Sequence, residues 1–255
     1  MRFIFCSLLM LLFQNGISQQ YYSPKPKHDT LRTAIQDYES VKLIDTAGNT
    51  LEEGFMKNNK LDGVWTTYHT SGFPSSTTSY RNGKKNGSYL KIGVDGYVEE
   101  MIVYKDDIKH GPQRIFYKGA RIDKEVYYKD GIENGLRRVF YSDAGIQEKA
   151  NIKDGKRDGL TTWYYKNGKK AVEYMYSNDE IDGPSVSYND KGNITMQGVF
   201  SKGIEEGLWK EYNEDGILSA DGNYSHGFKE GKWKSYDAMG KPGPGILYKR
   251  GEPVQ

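Results

Sequence analysis

Cysteine is almost missing from this 255-residue chain: the single residue, Cys6, lies inside an apolar run from Phe3 to Phe13. Past that run there is no thiol, which excludes disulfides, thiol nucleophiles and cysteine metal sites from the rest of the protein. Histidine is nearly as scarce. His28, His69, His110 and His226 show no metal-ligand spacing. A dominant charge is missing as well, with 36 Lys and Arg against 34 Asp and Glu, a net +2 spread along the chain. With neither a basic arm nor an acidic tail, nucleic acid is not an expected partner.

Met1 and Arg2, the eleven-residue apolar run, and the small residues Gly16 and Ser18 before Gln19 describe a secretory signal peptide, residues 1–18, cleaved after Ser18. The run is too short to span a bilayer. The expected location is therefore the periplasm, the cell surface or the medium, and export without disulfides suits a bacterial envelope. Residues 19–38 read as a linker containing Pro24 and Pro26, followed by a short capping helix. The helix is predicted from Leu31, Ala34, Ile35 and Tyr38 at i, i+3, i+4 and i+7.

What the chain has in quantity is glycine, 30 residues, and tyrosine, 21. Gly63, Gly87, Gly111, Gly135, Gly159, Gly183, Gly207 and Gly231 recur every 24 residues without slip. Five residues after each stand Tyr68, Ile92, Phe116, Phe140, Tyr164, Tyr188, Tyr212 and Tyr236. Seventeen residues after each stand Tyr80, Tyr104, Tyr128, Ile152, Tyr176, Phe200, Tyr224 and Tyr248. A fixed period of this length defines a repeat array, a class that presents extended surfaces and seldom encloses a catalytic pocket. From Glu39 a worn copy places Ile44 and Met56 in the two columns, so the array spans 39–255 as nine units.

The chemistry within a unit is that of β-structure. Asp62, Asn86, Asn134, Asp158 and Asp182 precede the anchor glycines, and Asx-Gly pairs are strong hairpin signals. A second turn is expected about nine residues later, at Gly72, Gly96, Gly168, Gly192, Gly216 and Gly240, slipping by one to Gly119 and Gly145. The segments between are short, rich in Tyr, Val, Ile, Trp and Thr, and in part alternating, which implies one covered and one wet face. The expected fold is all-β: about nine 24-residue β-hairpins in one long twisted antiparallel meander sheet, with the aromatic columns stacked as ladders along one face. Pro242, Gly243, Pro244 and Gly245 in the last strand read as protection of the terminal edge.

Units such as Gly207-Leu-Trp209-Lys-Glu-Tyr212-Asn-Glu-Asp-Gly216 and Gly231-Lys-Trp233-Lys-Ser-Tyr236 resemble the variant MORN repeat, and the arrangement is similar to bacterial YwqK-family antitoxin-component proteins. The resemblance covers residues 39–254. It implies hairpin repeats and non-enzymatic roles: protein scaffolding, contact with phospholipid, or neutralisation of a toxin. The tryptophan column departs from the pattern at Gln113, Arg137, Thr161 and Ser185.

No catalytic constellation stands out. Asp62, Asp158, Glu206 and Glu230 sit beside turn glycines, where solvation and turn chemistry account for them, and no cofactor is expected. The two aromatic columns read as packing residues. Trp65, Tyr89, Trp209 and Trp233 lie three residues before the second aromatic of the same strand, an odd spacing that sends them to the opposite face unless a bulge intervenes. They are the candidate binding surface, together with a basic stripe at Arg81, Lys105, Lys129 and Lys153, continued at Lys249. The first reading of function is an exported protein-interaction scaffold. Alternatives are an adhesion module for surface glycan or anionic lipid, and an antitoxin-like neutralising binder.

Overall fold

The protein is described here by a computed structural model covering residues 29–254. The expected signal peptide and the linker 19–28 lie outside the described residues. Twenty-two strand segments, paired antiparallel throughout, form one open meander sheet, and no helix occurs among the described residues. The all-β hairpin array expected from the period is the fold. Two strands are interrupted for one residue before an anchor glycine, at Asp62 and at Asn134.

Two kinds of connection alternate. One is a two-residue turn with both residues left-handed, at Asn58-Asn59, Asn82-Gly83, Asp106-Asp107, Asp130-Gly131, Asp154-Gly155, Asn178-Asp179, Lys202-Gly203 and His226-Gly227, with φ from 50° to 85°. This is the hairpin geometry that matches strand twist. The Asx-Gly pairs at the anchor glycines are therefore not the hairpin turns. They lie a few residues further on, inside the next strand, where the ladder bulges. Thr78 faces Tyr89 while Tyr80 faces Lys85, so the strand carrying Gly87 holds two extra residues there, with Gly87 at φ 109°. Turn and bulge both need positive φ, so Asx-Gly suits either.

The second connection closes through an amide-to-carbonyl bond such as Gly72 N–H to His69 O, 2.9 Å. Its left-handed position recurs strictly at 72, 96, 120, 144, 168, 192, 216 and 240. The expected slip is present at Gly119, which is left-handed at φ 86° beside Ala120, but absent at Gly145, which has no positive φ. Ala120 and Ala144 hold the position at φ 64° and 71°, which costs an L-residue energy that glycine would not.

The expected capping helix is also replaced. Asp29–Ile35 (β1) pairs along its whole length with Tyr38–Ile44 (β2), from Asp29 opposite Ile44 to Ile35 opposite Tyr38. Thr30 and Thr33 favour a strand, and the otherwise open edge of β2 supplies a full ladder of partners. At the far end, the segment Pro242–Gly245 precedes a short strand, Ile246–Lys249, which keeps only three pairs with its neighbour.

Register assigns every side chain to a face. Gly63, Trp65 and Thr67 share one face, and cross-strand pairing carries it to Thr78 and Tyr80. The row continues through Tyr89, Ile102, Gln113 and Val126, then from Arg137 through Ala150, Thr161, Tyr174 and Ser185 to Gly198 and Trp209. It contains most of the buried residues and is the core of the array. The column at Tyr80, Tyr104 and Tyr128 lies beside it. The other aromatic column does not. Tyr188 donates to Glu173 at 2.8 Å, and Glu173 points away from Tyr174 on its own strand. The two aromatic columns thus occupy opposite faces of the sheet, not one face.

Candidate binding faces

On the core face the indoles are packed, not displayed. Trp65, Trp209 and Trp233 are 6%, 3% and 4% exposed, and Tyr89 is half-buried. The exposed tryptophan edge expected from the odd spacing is not formed. The spacing correctly separates these residues from the Tyr68 column, but the face they occupy is the covered one. Space for each indole comes from the preceding unit. Gly54, Gly198 and Gly222 lie against Trp65, Trp209 and Trp233 so closely that a Cβ at any of them would overlap the ring.

Around the indoles the aromatics meet edge to face, Phe200 with Trp209 at 5.1 Å, Trp209 with Tyr224 at 5.7 Å and Tyr224 with Trp233 at 5.3 Å. The Trp65 indole donates to Glu52 at 3.0 Å and that of Trp233 to the Asn223 carbonyl at 3.0 Å. Lys229 lies 3.8 Å from the Trp233 ring centre and pairs with Glu211 at 3.0 Å, so this cation is already engaged on both sides. Trp163, which the repeat columns do not mark, joins the same face beside Tyr174 and under Arg157.

The basic residues Arg81, Lys105, Lys129 and Lys153 are exposed, as a lipid- or glycan-facing stripe would require. Each immediately precedes a hairpin turn, however, and three of those turns carry Asp106-Asp107, Asp130 and Asp154. The margin therefore alternates in sign and presents no uniformly positive edge. The carboxylates next to the anchor glycines are structural. Asp62, Asp182, Glu206 and Glu230 accept the turn amides of Asn82, Lys202, His226 and Arg250, twenty residues on in the next unit. No cluster that could hold a metal ion occurs among the described residues.

The opposite face carries a surface that the sequence reading missed. Leu136, Leu160, Met175, Pro184, Val199 and Leu208 lie in one cross-strand row, with Leu160 paired to Met175 and Pro184 to Val199. Leu160, Val199 and Leu208 are 42%, 45% and 51% exposed. Beside this row runs a charged one. Glu125, almost fully buried, accepts from Arg114 at 2.8 Å and pairs with Arg138 at 3.3 Å. Glu173 takes Lys170 at 2.8 Å and the Tyr188 hydroxyl. Burial works against the Glu173 carboxylate, but the Lys170 and Tyr188 hydrogen bonds outweigh it and hold its pKa below the ordinary value. The signal for the apolar row was a third period-24 column one residue after the anchor glycine: Val64, Pro112, Leu136, Leu160, Pro184 and Leu208.

An open β-hairpin array with an aromatic core row and a second, partly apolar face is a repeat protein of the binding type. The comparison with protein families agrees: a profile described as MORN repeat variant matches residues 157–178 and 205–226. Repeats of this kind commonly mediate protein or membrane-lipid contacts and are generally non-enzymatic. No curated protein matches the chain.

Proposed function

We propose that this chain is an exported, non-enzymatic scaffold that docks a protein partner in the bacterial envelope or outside the cell. The observation that supports it is the row from Leu136 to Leu208. It sets exposed aliphatic side chains beside fixed charges at Arg114, Glu125 and Arg138, the mixture of apolar anchors and polar rim that protein interfaces use. Neither the buried indoles nor the sign-alternating margin offers a comparable site for glycan or anionic lipid.

A photo-reactive residue placed at Leu160 or Leu208 in cells should crosslink a discrete protein band. The same residue at Lys105 on the turn margin should not. The mature N-terminus, read by mass spectrometry from fractionated cells, tests the export half. A start at Gln19 in envelope or medium supports it, whereas an intact Met1 in the cytosol would overturn it and favour an antitoxin-like neutralising role. Crosslinking to lipid alone would sink the protein-docking half.

A further inference from the structure

We propose that two copies of the chain join through their β1 strands, antiparallel about a two-fold axis at Thr33, to make one continuous sheet. β1 pairs with β2 on one side only among the described residues. Its two-residue turn at Gln36-Asp37 makes Ile35 and Tyr38 the closing hydrogen-bonded pair. By alternation, the amides and carbonyls of Leu31, Thr33 and Ile35 point to β2, and those of Thr30, Arg32 and Ala34 point outward.

An antiparallel mate must pair those outward residues with one another. The register that sets Arg32 opposite Ala34 of the second copy also sets Leu31 opposite its Ile35, twice by symmetry, and Thr33 opposite its Thr33. Leu31 and Ile35 are 54% and 50% exposed in the single chain, so this pairing covers apolar side chains that otherwise face water. Arg32 is already held by Glu39 at 3.1 Å, so no unpaired cation enters the seam. Asp29 would meet Asp37 of the second copy at its ends, but Asp37 pairs with Lys57 at 3.6 Å.

β1 has no proline and no bulge to blunt its edge, and of its two charges Arg32 is paired with Glu39 and Asp29 sits at the strand end. The strand at the other end of the described sheet differs. Glu252–Val254 has three residues, and its Pro253 has no amide to give. A β1 edge therefore finds its equal in another β1, and the isologous contact closes at two copies instead of running on as a fibre.

Sedimentation equilibrium of the chain tests this against two variants that spare the β1–β2 ladder. Ala34→Pro deletes an outward amide, and Leu31→Lys puts a charge opposite Ile35. The wild type should be dimeric in the submillimolar range, and each variant should weaken association by about tenfold or more. In a Cys6→Ser background, Thr33→Cys should form a disulfide-linked dimer on mild oxidation, since facing residues of a non-hydrogen-bonded pair lie within reach of each other. Leu208→Cys on the open face should not. A chain that stays monomeric overturns the proposal, as does a dimer that both variants leave intact. So does a monomer whose Arg32 and Ala34 amides are protected from hydrogen exchange, for then its own N-terminal segment fills the edge.

Discussion

Residue by residue, the array is held by matching sizes across unit boundaries. Where a unit carries tryptophan two residues after its anchor glycine, the preceding unit offers glycine eleven residues earlier: Gly54 for Trp65, Gly198 for Trp209 and Gly222 for Trp233. At Ser185, where the tryptophan is absent, the bulk sits on the other strand, and Tyr174 fills the row between Thr161 and Ser185. We therefore expect Gly198→Ala to cost about 1–3 kcal/mol, the usual penalty of overpacking. The same change in a Trp209→Val background should cost little, and denaturant midpoints of the four chains would show the difference. A Gly198→Ala penalty that persists without the indole would point to backbone strain instead. The glycine–tryptophan spacing was plain in the sequence, but its meaning was not. The spacing from Trp65 to Tyr68 gives the relative face correctly, whereas which face is covered depends on the glycine across the strand.

At the scale of the hairpin, the period was legible and the position of the turn was not. Asx-Gly pairs occur both at true turns, as Asn82-Gly83, and at bulges, as Asn86-Gly87, because each site asks for the same backbone freedom. Lys202 and His226 fill left-handed turn positions with no local hint beyond the glycine that follows. Likewise, the apolar pattern over Leu31–Tyr38 fits a helix as well as a strand, and the decision falls to an edge that lies elsewhere in the chain. The second turn yields a prediction. Ala120→Gly and Ala144→Gly should each stabilise the protein by about 0.5–1 kcal/mol, since relief of the left-handed penalty exceeds the added freedom of the unfolded chain. Thermal unfolding of the single variants measures this, and a loss of stability would show that the alanine methyl packs against something of value.

For the whole molecule, the tyrosine columns tie stability to alkaline pH. Burial, the largest cause, raises the pKa of Tyr80, Tyr104, Tyr128, Tyr176 and Tyr224. Tyr68 is pushed up to about 12, by burial and then by its hydrogen bond to Glu53. A hydroxyl whose folded pKa lies above its unfolded value of about 10 contributes stability that is complete below that value and lost as pH rises through the folded one. The protein should accordingly lose β-structure in circular dichroism as pH rises past about 10, in step with tyrosinate absorbance. Tyrosines titrating normally while the sheet persists would contradict the packed columns. The matched sizes described above also bear on descent. A chain of equal periods invites loss of one period by slippage during replication, and every such loss keeps backbone register. Excision of residues 183–206 would nevertheless bring Tyr174 against Trp209, whereas excision of 87–110 would only bring Thr78 against Gln113. The units are thus interchangeable in length but not in order, and the core row acts as a record of which neighbours have grown up together.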